Sequence, residues 1–71
     1  MALTEDRRVR KTKKAMTEAL AKLLLTKPLN NISVREISDM ADINRGTFYL
    51  HYRDVYDMVD KLQNEIFEKF N

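Results

Sequence analysis

Between residues 32 and 48 one helix-starting pattern is written twice, eleven residues apart: Ile32-Ser33-Val34-Arg35-Glu36-Ile37, then Ile43-Asn44-Arg45-Gly46-Thr47-Phe48. In the first copy Ser33 can accept from first-turn amides, Glu36 can reach back to the Ser33 amide, and Ile32 can pack on Ile37 across the cap. In the second, Asn44 is the capping side chain and Ile43 can staple onto Phe48. The interval leaves room for a helix from Val34 to about Ala41, turned inward through Val34, Ile37 and Met40 or Ala41, and for a turn in which Asp42 takes the bend. Eight residues cannot hold a helix alone, so both short helices must lean on something longer.

Two longer segments supply it. Val9, Met16, Ala19, Leu20, Leu23 and Leu24 recur at three- and four-residue steps and predict a first helix from about Glu5 to Thr26. It stops at Pro28, which lacks an amide proton and pushes Lys27 off helical angles, with Asn30 and Asn31 favouring a turn. The third helix is expected over Arg45 to Tyr52. Asp54 with Asp57 then starts a fourth, whose stripe is Val55, Val59, Leu62, Ile66 and Phe70. No strand signal appears, and the expected class is all-α.

At 71 residues the core will be thin, since such chains bury only about 60% of their unfolded surface. Without cysteine and with one histidine, His51, neither a disulfide frame nor a thiolate or His-rich metal site is possible, and no metal or cofactor is expected. The lone His51 has no nucleophile motif around it and the carboxylates form no paired constellation, so an enzyme is not expected. No apolar run approaches a membrane span, and the start lacks the apolar middle of a secretory signal. The expectation is a soluble, cytoplasmic protein with no membrane partner.

Charge is unevenly placed. Residues 1 to 53 carry eleven basic and six acidic side chains, residues 54 to 71 two and five. Arg7, Arg8, Arg10, Lys11, Lys13 and Lys14 stand together with no acid among them, a field that attracts phosphates, although a solvated helix face would look the same.

Two short helices joined by a tight turn form a helix-turn-helix, in which the second enters the DNA major groove and the first braces it. On the second, Phe48 and Tyr52 share one side as core, while Gly46, Leu50 and Arg53 face away and Thr47 and Tyr49 flank them. Arg45 can meet guanine bidentately or a phosphate. Gly46 costs a helix about 1 kcal/mol against alanine, for which close approach to DNA or tight packing on the first helix would compensate. Thr47 can donate its hydroxyl to a phosphate or touch a thymine methyl, Tyr49 suits a thymine methyl, sugar or phosphate, and Leu50 suits thymine methyls. His51 serves either a phosphate or a local carbonyl. Ser33 at the start of the second helix can bind phosphate through amide and hydroxyl, or merely cap.

The run ISVREISDMADINRGTFYLHYRDVYDMV resembles the N-terminal DNA-binding domain of the tetracycline-repressor (TetR) family, whose usual pattern NRGTFYLHY fits throughout. The likeness covers roughly residues 8 to 60 and is most specific over 32 to 59. It implies a homeodomain-like three-helix unit plus the start of a fourth, connecting helix. It also implies that Arg35 contacts DNA backbone or bases. Two positions depart from the family: Asp42 stands where a small turn residue, often glycine, is usual, and Val55 where a phosphate-contacting lysine is usual, so that Arg53 would carry that charge instead.

The resemblance further implies sequence-specific binding of double-stranded DNA by a bacterial transcriptional regulator, usually a repressor, with two copies on a palindromic operator. The residues expected on DNA are Ser33, Arg35, Asn44, Arg45, Gly46, Thr47, Tyr49, Leu50, His51 and Arg53. The chain, 1–71, is expected to be this single domain, without the C-terminal domain through which family members dimerise and bind a small-molecule inducer. A homodimer is therefore expected of the whole protein and a monomer or weak dimer of this stretch. A rival expectation is a protein-interaction module docking a partner through Tyr56, Phe67 and Phe70.

Overall fold

A computed structural model describes residues 3–70 of the chain, with side chains described over 7–66. Four α-helices and one short 3-10 turn follow in order: α1 (Leu3–Leu24), the turn (Leu29–Asn31), α2 (Val34–Ala41), α3 (Arg45–His51) and α4 (Val55–Phe70). Among the described residues there is no strand, and no helix is long and apolar enough to cross a membrane.

α1 ends two residues before the expected Thr26, and its chain is turned by the Thr26 and Lys27 amides, which both donate to Leu23 O at 3.0 Å. Its stripe is buried at Met16, Ala19, Leu20 and Leu23, whereas Val9 and Leu24 at its two ends are 37% and 46% exposed. The pattern outruns the surface available to cover it, because α1 is about 33 Å long and α2 and α3 are a third of that. Onto this stripe pack Ile32, Ile37, Phe48, Tyr52, Val55 and Met58, with Val34, Ala41, Ile43, Val59 and Leu62 partly buried around them.

α2 has the bounds its signals predict, and of the inward alternatives Ala41 packs while Met40 stays 47% exposed. Ser38, which carried no signal, is buried at 1%, its Oγ without a protein partner. The turn closes as Asp42 adopts φ 59, ψ 45, the left-handed region that an aspartate tolerates better than most side chains. α3 is one residue shorter than expected, Tyr52 serving as its C-cap with an extended backbone.

α4 starts on a reciprocal pair: the Asp57 amide donates to Asp54 Oδ1 at 2.8 Å, and the Arg53 amide donates to Asp57 Oδ2 at 2.9 Å. Its deepest residue is Met58 at 0% exposure, which the expected stripe omitted, while Ile66 on that stripe is 57% exposed. Over its later turns α4 faces α1. An open cleft of about 560 Å³ lies between them, lined by Arg10, Lys14, Leu62 and Ile66, among others, and crossed by the Lys13–Glu65 ion pair at 3.1 Å. Tyr56 is 58% exposed; the side chains of Phe67 and Phe70 lie outside those described.

Candidate nucleic-acid interface

α3 is pinned from one side only. Phe48 is fully buried, with its ring centroid 5.6 Å from those of both Tyr49 and Tyr52. The opposite side meets solvent: Arg45, Gly46 and Arg53 are exposed, Tyr49 is 55% and Leu50 82% exposed, and Thr47 is half-buried on the flank. A leucine this exposed is a small cost with no return inside the fold. Among the described residues Arg45 forms no ion pair, so its guanidinium stands free at the start of the helix.

At that start Asn44 Oδ1 accepts from Thr47 N at 2.9 Å and from Thr47 Oγ1 at 3.1 Å. The same oxygen is the near neighbour of Gly46. A Cβ built there would come within 3.3 Å of Asn44 Oδ1 and meet no other atom closely. Packing against α1, one of the two reasons expected for this glycine, is therefore not its reason; besides the close approach to DNA that was the other, the bare position leaves the cap uncrowded.

α2 presents a different end. The Ser33 amide donates to Glu36 Oε1 at 3.0 Å, Ser33 Oγ reaches the same oxygen at 3.3 Å, and the Glu36 amide donates to Ser33 Oγ at 3.1 Å. Glu36 also pairs with Lys27, whose hydrogen bond first, and that of the Ser33 amide next, hold its carboxyl below the ordinary 4.5. The two donors that Ser33 was expected to offer a phosphate are thus spent on a carboxylate, which itself repels phosphate. Arg35 projects from the exposed face and lies 3.9 Å from Asp39 one turn on.

The far end of α3 is braced by Lys61. Its Nζ donates to His51 O at 3.4 Å, lies 3.4 Å from Asp57 and sits 5.8 Å from the centre of the Tyr52 ring, so a cation meets the negative end of the helix dipole. Sequence reasoning passed over Lys61; its four-residue spacing from Asp57 was the available signal. His51 is half-buried, and burial first, then the nearby Lys13 charge, lower its pKa from 6.5. At neutral pH it therefore offers a phosphate a neutral ring. The basic stretch of α1 is exposed over Arg7 to Lys11 and at Lys14. Val55, in place of the lysine the family resemblance led one to expect, is 5% exposed and part of the core. Arg53 is the exposed cation at that corner.

The expected residues thus fall into three groups: an outward set of Arg45, Gly46, Tyr49, Leu50 and Arg53, a cap formed by Asn44 and Thr47, and residues at the edges, Ser33 with its donors taken, Arg35 exposed beside Asp39, and the half-buried His51. Residues 16–62 match the family model described as bacterial regulatory proteins, tetR family. Over 51 residues, 72% of the chain, the sequence is 31% identical to a protein of Bacillus subtilis (strain 168) described as the uncharacterized HTH-type transcriptional regulator YxbF. The chain spans 13% of that relative's length. No solved structure matches.

Proposed function

Because this chain belongs to the TetR family of bacterial regulatory proteins, whose helix-turn-helix domains bind DNA to regulate transcription, we propose that it represses transcription by inserting α3 into the major groove of a palindromic operator. The observation that carries this reading is the outward side of α3, where a free arginine, an exposed tyrosine and an 82% exposed leucine share a helix fixed by its other side. Arg45, Tyr49 and Leu50 read base edges. Arg53, His51 and the Arg7–Lys14 stretch meet phosphates and set the register. Two copies, held together by parts of the protein outside this stretch, span two half-sites, and a small inducer acting through those parts releases the operator. The setting is the bacterial cytoplasm.

The test compares Arg45→Ala with Arg35→Ala on DNA recovered from a random pool. Arg45→Ala is expected to weaken binding by about 1–3 kcal/mol and to relax one base position. Arg35→Ala, removing a side chain already beside Asp39, is expected to cost less. Affinity should fall steeply from low to moderate salt as condensed counterions cease to be released favourably. Salt-independent binding, or binding indifferent to Arg45→Ala, contradicts the proposal.

A further inference from the structure

Thr47 comes to the flank of α3 with its hydrogen-bonding direction already decided. Asn44 Oδ1 lies 2.9 Å from Thr47 N and 3.1 Å from Thr47 Oγ1. The first of these partners is a backbone N–H, which only donates, so the atom facing it is the carboxamide oxygen rather than its nitrogen. A carbonyl oxygen only accepts, so the Thr47 hydroxyl proton is directed at Oδ1. That oxygen has two lone pairs, and both are taken. Gly46 leaves the carboxamide undisturbed, since a Cβ at that position would stand 3.3 Å from the same oxygen.

What Thr47 has left is the lone pairs of Oγ1 and its methyl group. Phosphate oxygens are acceptors, so a threonine in this state offers them nothing, and a phosphate contact would require the hydroxyl to abandon Asn44. Base edges differ. Adenine N6 and cytosine N4 present amine donors in the major groove and thymine presents a methyl, and A·T is the pair that carries both. Resting on the DNA-binding reading above, we propose that Thr47 is a specificity-determining residue selecting an A·T pair, with Asn44 and Gly46 as positioning residues that keep its hydroxyl an acceptor. This sets aside the phosphate-donor alternative that the sequence suggested for Thr47 and extends the other, contact with a thymine methyl.

The experiment selects DNA from a random pool with the 71-residue chain, then measures affinity by fluorescence anisotropy on the selected duplex and on duplexes changed one pair at a time. Wild type is expected to fix an A·T pair beneath α3. Thr47→Val keeps the shape and methyl but loses the lone pairs, and should cut discrimination at that pair by about five-fold while leaving the other positions unchanged. Asn44→Asp, whose carboxylate still accepts both Thr47 donors, should keep that discrimination although overall affinity falls, whereas Asn44→Ala should lose it; circular dichroism confirms that each variant is folded. Thr47→Val weakening every duplex by one factor, or changing nothing, overturns the inference and spares the DNA-binding reading. Enrichment of no sequence by the wild-type chain overturns both.

Discussion

The two helix starts at Ser33 and Asn44 are built on one plan and end in opposite states. Each has an apolar residue before the cap, Ile32 or Ile43, and a fully buried one after it, Ile37 or Phe48. They differ at the third helical residue. Glu36 folds its carboxylate back onto Ser33 and takes up Lys27, so α2 begins in a closed, charge-bearing knot. Thr47 is neutral and turns its hydroxyl to Asn44, so α3 begins with no acid on its exposed side and Arg45 free beside it. On the proposed reading, a capping box suits the helix that braces, and a cap without a carboxylate suits the one that approaches a polyanion.

The largest effect expected of any change to this pair is on the apolar residue behind the second cap. Phe48→Ala empties the middle of the core and should cost about 3–5 kcal/mol, which for a chain this small removes cooperative urea unfolding; retention of a sharp transition would mean α3 is held by something other than Phe48. A smaller effect sharpens the comparison at the cap. Gly46→Ala should gain less than the roughly 1 kcal/mol that helix propensity offers, because the new Cβ crowds Asn44 Oδ1. In an Asn44→Ala background the full gain should return, and equal gains in both backgrounds by denaturant titration would remove the crowding argument.

The smallest effects are those of pH. Glu36 is held below 4.5 by Lys27 and Ser33, so the folded chain takes up this proton less readily than the unfolded one; its contribution is complete above 4.5 and is lost as pH falls through the folded value. His51 is lowered from 6.5 by burial, so stability begins to decline as pH drops below 6.5 toward its folded value. Urea midpoints against pH should therefore fall in two windows, the upper flattened by His51→Gln and the lower by Glu36→Gln. A curve unaltered by either substitution would contradict these assignments.

What the sequence disclosed was local. Ser33, Asp42 and Asn44 each act within four residues, as does Glu36 on Ser33, and α2 has the bounds they predict. What it hid depends on elements distant in the chain. The α4 stripe through Val59 and Ile66 missed Met58, because which of several apolar rows faces inward is set by where α1 lies, and Ser38 was missed because a small hydroxyl residue buried between helices carries no periodic signal. Residue types at the interface were legible, but hydrogen-bond direction was not: phosphate donation was one of two roles open to Ser33 and to Thr47, and both have spent their protons inside the fold. The role of Lys61 at the end of α3 joins positions ten residues apart and needed the folded chain to be seen.

In the proposed function α3 meets DNA with its outward side while α2 braces it. The most direct measurement is a titration of the ¹⁵N-labelled chain with its selected duplex, following amide and Arg side-chain resonances at two salt concentrations. The largest shifts are expected at Arg45, Tyr49, Leu50 and Arg53, lesser ones along Arg7–Lys14, with retreat of all of them as salt rises. Shifts centred on Tyr56 and the rest of α4, with the outer side of α3 silent, would contradict the proposal.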